Sequence, residues 1–121
     1  MNRRQDREEG LSRTAPKESS EVGDRLPAAA VLARSLSDEN RIRIILCLAD
    51  GKESVSGIVE ELQLSQPLVS HHLKELKRCL LVKVERNGPF IYYELVDRRI
   101  VSILKDLAAL GKELLANRKT F

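Results

Sequence analysis

A mainly α fold carrying one small β-hairpin is predicted for this 121-residue chain by two observations. Apolar side chains recur at three- and four-residue spacing through several separate stretches, the period of helices with one buried face. Near the C-terminal end the pattern breaks, and Asn87-Gly88 stands between two β-prone runs, a strong hairpin signal.

Residues 1–24 are rich in Arg, Glu, Ser and Gly and hold almost no apolar side chain. Such a composition cannot offset the entropy of ordering, so a disordered arm is expected there, followed by one domain over 25–121. Order is expected to begin near Pro27, with a short apolar helix from Ala28 to Leu36. Ser37 is read as the cap of a second helix from Asp38 to about Ala49, with Ile42, Ile45, Leu46 and Leu48 apolar and Arg41 and Arg43 in water. Asp50-Gly51 ends it. A third helix, from about Ser54 to Leu62, turns its Val55, Ile58, Val59 and Leu62 inward. Gln63-Leu64-Ser65 is then a short turn, without the glycine common at such sites, into a fourth helix. Ser65 caps that helix, Pro67 suits its first turn, and Leu68, Val69, Leu73, Leu76 and Leu80 form the buried face.

Two strands follow, Leu81 to Glu85 and Phe90 to Leu95, with Phe90, Tyr92 and Tyr93 expected to anchor the hairpin on the core. A last helix runs from about Asp97 to Ala116. The order α-α-α-α-β-β-α is that of a winged helix-turn-helix. The last helix is apolar over too much of its circumference for one small domain, and the first has the same excess. A second copy of the chain is the simple cover, with Leu32, Leu36, Ile100, Ile103, Leu104, Leu107, Leu110 and Leu114 at the expected dimer interface.

The fourth helix carries the chemistry. Opposite its apolar face lie Gln66, Ser70, His71, Lys74, Lys77 and Arg78. Short polar groups near the N-terminus suit base edges, and cations toward the C-terminus suit phosphates, the order a recognition helix in the major groove requires. Double-stranded DNA is therefore the expected partner. The net charge of +3 is too small to single out a nucleic-acid binder, but residues 1–24 carry −1 and leave +4 on the rest. No run approaches membrane-spanning length, no secretory segment opens the chain, and two cysteines make no disulfide framework, so the cytoplasm is expected.

Three sets of residues recur together: Leu36-Ser37-Asp38-Glu39-Asn40-Arg41 leading into Ile44-Ile45-Leu46, then Ser65-Gln66 and Val69-Ser70-His71-His72-Leu73, and Gly88 followed by Ile91-Tyr92-Tyr93-Glu94-Leu95. On these residues the chain, from about Leu32 to Leu114, resembles the ArsR/SmtB family of dimeric bacterial repressors, which release DNA when an effector binds. The resemblance implies that Gln66, Ser70 and His71 face bases, that Ser65 and Lys74 meet phosphates, and that His72 packs against the scaffold. In this family a basic residue usually follows the wing glycine; here Pro89 stands there, which leaves wing contacts to Lys83 and Arg86.

The family's effector sites do not carry over. Its arsenic- and cadmium-binding Cys-x-Cys corresponds to Ser54-Val55-Ser56, and hydroxyls are poor ligands for thiophilic ions. Its zinc-binding Asp-x-His and His-x-x-Glu correspond to Asp97 and Arg99, then Leu110 and Glu113, with both imidazoles gone. His71 and His72 point about 100° apart on a helix and cannot chelate one ion. No metal site and no cofactor are expected, and the effector is unknown.

Cys47 and Cys79 leave a redox alternative: some persulfide-sensing relatives carry one of two cysteines on the second helix, where Cys47 falls, but the last helix here has no cysteine. An enzyme is not expected, because the chain has no phosphate loop and no nucleophile-base-orienter set. The other alternative, a winged helix used for protein interaction, sits poorly with Lys74, Lys77 and Arg78 on the fourth helix.

Overall fold

The computed structural model describes residues 23–118. Most of the expected disordered arm, 1–24, lies outside the described residues. The chain divides at Arg34 into two units. The first contains nearly all of helix α1 (Leu26–Ser35), whose Pro27 sits in the first turn, where a missing N–H costs nothing. Leu26, Val31 and Leu32 of α1 are exposed.

The second unit begins at Ser35 and runs α2 (Glu39–Cys47), β1 (Glu53–Ser54), α3 (Val55–Leu62), α4 (Gln66–Arg78), β2 (Val82–Asn87), β3 (Phe90–Leu95) and α5 (Arg99–Ala116). It is a winged helix-turn-helix, as expected, with one more strand than the sequence shows. β1 pairs antiparallel with β3, Glu53 opposite Tyr93 and Ser54 opposite Tyr92, so the sheet order is β1-β3-β2. Two residues are too few to display a period, and only their partner strand makes them a strand.

Each helix boundary has a local cause. Asp38, not Ser37, caps α2: its carboxylate accepts from the amides of Asn40 at 2.8 Å and Arg41 at 3.1 Å. A carboxylate at the positive end of a helix gains from the macrodipole as well as from the hydrogen bonds. Ser54 caps α3 by accepting from Gly57 N, and Ser65 caps α4 by accepting from Leu68 N. The turn between α3 and α4 needs one left-handed residue, and Gln63 supplies it at φ 58° in place of glycine, its side-chain amide donating to Glu60 O at 2.7 Å.

The end of α4 corrects the sequence reading. Leu80 is not on the buried face; it adopts φ 64° and is 76% exposed. Its N–H bonds Lys77 O, and the next amide, Leu81 N, bonds Leu76 O. This pair of reversed bonds is a Schellman cap, with the buried contact supplied by Leu76 and Leu81. The hairpin turn is also tighter than expected. Asn87 pairs with Phe90, leaving Gly88-Pro89 as the two central residues. Gly88 has φ 64° and proline holds φ near −65°, so the positive dihedral falls on the first position alone, as in a type II′ turn.

The core of this unit is one cluster: Ile44, Ile45 and Leu48 from α2, Ile58 from α3, Val69, Leu73 and Leu76 from α4, Leu81, Val82 and Leu95 around the sheet, and Ile100 and Leu104 from α5. Tyr93 and Leu95 of β3 pack on the core, whereas Ile91 is 37% exposed and Phe90, 60% exposed at the hairpin tip, meets the Tyr92 ring rather than the core. Truncating a fully buried core leucine removes transfer energy and leaves a cavity. Leu73→Ala is expected to lower unfolding free energy in urea by about 2–5 kcal/mol. By contrast, Leu80→Gly relieves a left-handed side chain and is expected to raise it by about 1 kcal/mol.

Candidate nucleic-acid interface

The face of α4 is decided by what its other side buries. Val69, Leu73 and Leu76 are fully buried and His72 nearly so, which turns Gln66, Ser70, Lys74 and Lys77 outward in one row with His71 beside it. All five are exposed, as is Ser65 at the N-terminus. The structure therefore brings together six of the expected DNA contacts. Ser65 Oγ accepts from the Leu68 amide through one lone pair, and its hydroxyl proton can still donate. Arg78 is tied by two bonds, 3.0 and 3.2 Å, to Glu75 on the same helix.

The other two expected contacts lie on β2. Lys83 is exposed and directly opposite Glu94, while Arg86 is exposed opposite Ile91 near the hairpin tip. Next to them Lys52 pairs with Glu85 at 2.9 Å and stands 5.6 Å from the centre of the Tyr92 ring.

Arg41 and Arg43, expected in water, are instead half-buried fasteners. Arg43 donates to Leu62 O at 2.9 Å, holding the C-terminal end of α3, and to Asn40 Oδ1 at 3.2 Å. Arg41 donates from Nε to His72 Nδ1 at 3.2 Å and from Nη1 to Ser35 O at 3.4 Å. His72 is 4% exposed and its Nε2 lies 3.7 Å from Asp38 Oδ1. Burial above all pushes the His72 imidazole below its usual range, with Asp38 opposing and Arg41 adding to the effect. The Asp38 carboxyl is held low first by the Arg41 amide. No sequence pattern marks this set, because its members meet only across α2 and α4.

On α5 the expected interface residues separate into two groups. Ile100 and Leu104 go into the protomer's own core, and Leu36 is half-buried against it. Ile103, Leu107, Leu110 and Leu114 remain 51–62% exposed, in a row at helical spacing. No helix among the described residues is long and apolar enough to cross a membrane.

The effector positions are engaged otherwise. Ser54 Oγ serves the cap of α3 and lies 3.2 Å from Ser56 Oγ. Asp97 accepts from the backbone and guanidinium of Arg99, chiefly from the side chain, which brings it to about 2. Among the described residues no group of three or more His, Cys, Asp or Glu could hold a metal ion. Cys79 Sγ accepts from Ser35 Oγ at 2.8 Å. Cys47 borders a shallow cleft of about 260 Å³ with Arg43, Leu46, Glu61 and Leu62, and burial followed by the Glu61 carboxylate pushes its thiol up to about 12.

Comparison with known proteins agrees with this geometry. The family described as bacterial regulatory protein, arsR family, matches residues 38–84, from the cap of α2 into β2. The HTH-type transcriptional repressor SmtB of Mycobacterium tuberculosis is 40% identical over 84 residues, 69% of this chain. The match spans only 62% of that relative's length. An uncharacterized HTH-type transcriptional regulator of Methanocaldococcus jannaschii is 37% identical over 78 residues, 64% of this chain and 88% of that protein. Among solved structures, reduced HlyU from Vibrio cholerae superposes with a TM-score of 0.65 at 29% identity, covering 74% of this chain and 95% of that one. The repressor BigR from Xylella fastidiosa gives 0.65 at 25% identity, covering 75% and 93%. The chain belongs to the ArsR family of helix-turn-helix transcriptional regulators, a family of DNA-binding proteins and not of enzymes.

Proposed function

We propose that the protein is a cytoplasmic, homodimeric transcriptional repressor that binds an inverted-repeat operator. Its two α4 helices would enter successive major grooves about 10 base pairs apart. The observation that carries this reading is the division of α4 into a buried apolar face and one exposed row of Gln66, Ser70, His71, Lys74 and Lys77. Gln66, Ser70 and His71 are assigned to base edges. Ser65, Lys74 and Lys77 are assigned to phosphates, with Lys83 and Arg86 reaching the backbone from the wing. The same exposed cations favour DNA over a protein-interaction module, since such modules typically lack cations on this helix.

The exposed row Ile103, Leu107, Leu110 and Leu114 is the surface assigned to the second copy. A C2 pair through α5 presents two reading heads to one face of a palindromic duplex. Release from DNA would come from an effector that binds the DNA-incompetent dimer better and changes the relative angle of the heads. Neither family metal site supplies one. Burial and the Glu61 carboxylate push the Cys47 thiol up to about 12, which disfavours its thiolate and weighs against Cys47 as a redox sensor.

Selection of duplexes from a random pool by the reduced protein tests the reading. An enriched inverted repeat is expected, and a folded protein that enriches nothing would overturn it. Ser70→Ala with His71→Ala is expected to cut operator affinity by about 10- to 100-fold. Affinity for random duplex, measured by fluorescence anisotropy, should stay within error. Lys74→Ala should weaken both and lower the salt slope by about one. Leu107→Glu with Leu110→Glu is expected to convert the dimer to monomer in light scattering. Alkylation of Cys47 by iodoacetamide at neutral pH is expected to run slower than that of a free thiol whose pKa lies near 8.5.

A further inference from the structure

His72 is the inward neighbour of His71, and its surroundings constrain the exposed row more tightly than apolar packing can. Its Nδ1 accepts from Arg41 Nε at 3.2 Å, and the same guanidinium donates from Nη1 to the Ser35 carbonyl at 3.4 Å. Its Nε2 faces the Asp38 carboxylate that caps α2, at 3.7 Å. One planar cation thus joins the backbone before α2 to an imidazole buried in α4.

The geometry points to Arg41 as a positioning residue for DNA reading: through the neutral imidazole of His72 it holds α4 in one rotation on α2, and acidification undoes the hold. The inference rests on the assignment of Ser70 and His71 to base edges. Close packing of leucine, isoleucine and valine limits the helix sterically but has no directional preference of its own, whereas an N–H to nitrogen bond adds one. Base-edge contacts one and two residues away require that accuracy.

The hold needs Nδ1 without a proton. An imidazolium carries N–H at both nitrogens, so protonation would set two donors and two positive charges face to face across the Arg41 bond. The charged groups around His72 are Asp38 and Arg41 on α2 and His71 and Glu75 on α4. Asp38 and Glu75 favour the imidazolium; burial, Arg41 and His71 oppose it, and burial is the largest influence. The folded value therefore lies below the ordinary one. A group of this sign contributes its order fully above the unfolded pKa, near 6.5, and loses it as pH falls through the lowered folded value.

The test compares wild type, His72→Asn and Arg41→Met from about pH 7.5 to 5.5, reading two quantities. One is the ratio of operator to random-duplex affinity; the other is amide exchange of Val69–Lys74 in the free protein. In wild type the ratio is expected to fall about two- to fivefold on acidification, less than the roughly tenfold an imidazole at its ordinary value would give by pH 5.5, with those amides losing protection over the same range. Asparagine keeps an acceptor near the place of Nδ1 and cannot titrate, so His72→Asn should retain the neutral-pH ratio and lose the wild-type fall. His71 is present in both proteins, so the comparison isolates position 72.

Methionine keeps the apolar stem of Arg41 without its donors, so Arg41→Met should show the acid ratio already at neutral pH. A wild-type profile in His72→Asn, or a wild-type ratio in Arg41→Met, overturns the inference. If wild type prefers no duplex, the DNA assignment has failed and amide exchange alone decides. Acid-labile protection in wild type that is absent in His72→Asn upholds the hold on α4, and identical protection in the two refutes it. Should Arg41→Met fail to fold, wild type and His72→Asn decide between the same two outcomes.

Discussion

The burial of one face of α4 against α2 is the constraint on which the exposed chemistry depends. Val69, Leu73 and Leu76 reach zero exposure beside Ile44 and Ile45, and each such side chain contributes about 1.5–3 kcal/mol when removed from water. Because a helix repeats every 3.6 residues, fixing those three positions fixes where Gln66, Ser70 and Lys74 project. Dispersion and hydrophobic burial are not directional, however. Direction comes from two arginines on α2: Arg43 bonds the last carbonyl of α3, and Arg41 bonds a ring nitrogen of α4. The helix-turn-helix is thus packed by leucines and isoleucines and aligned by guanidinium groups.

Two left-handed residues shape the path of the chain around that unit. Gln63 and Leu80 each take positive φ without being glycine, at a cost of about 1–2 kcal/mol per residue. What offsets the cost differs. Gln63 N–H closes onto Val59 O, and its side chain bonds Glu60 O. At Leu80 the compensation is the pair of reversed bonds closing α4 and the burial of Leu81 against the core, from which β2 departs directly. A wing that starts so soon after α4 inherits its orientation from that cap.

Helix α5 divides its apolar surface between two tasks. Ile100 and Leu104 complete the protomer core, and the row from Ile103 to Leu114 stays in water in a single chain. The positions that the resemblance marks for metals serve local structure here: Ser54 caps α3, and Asp97 pairs with Arg99. In each case the side chain bonds an amide at a helix start.

Local chemistry was legible without the fold. The helix periods, the cap at Ser65, the strand Phe90–Leu95 and the outward row of α4 all depend on spacing and on neighbours within a turn, which a sequence displays directly. The family motifs were legible for the same reason. What the sequence left open depends on partners distant along the chain. β1 exists because Tyr92 and Tyr93 lie opposite it, Leu80 leaves the helix because Leu81 has a core to enter, and Ile100 and Leu104 are core rather than contact because α2 is packed against them. The water-facing assignment of Arg41 and Arg43 failed because a charged side chain meets its acceptors, His72 Nδ1 and Leu62 O, only after three helices have packed. Periodicity sets which face of each helix is buried; tertiary packing alone decides which polar groups that burial brings within about 3.5 Å of one another, since a hydrogen bond depends on distance in space and not on separation in sequence.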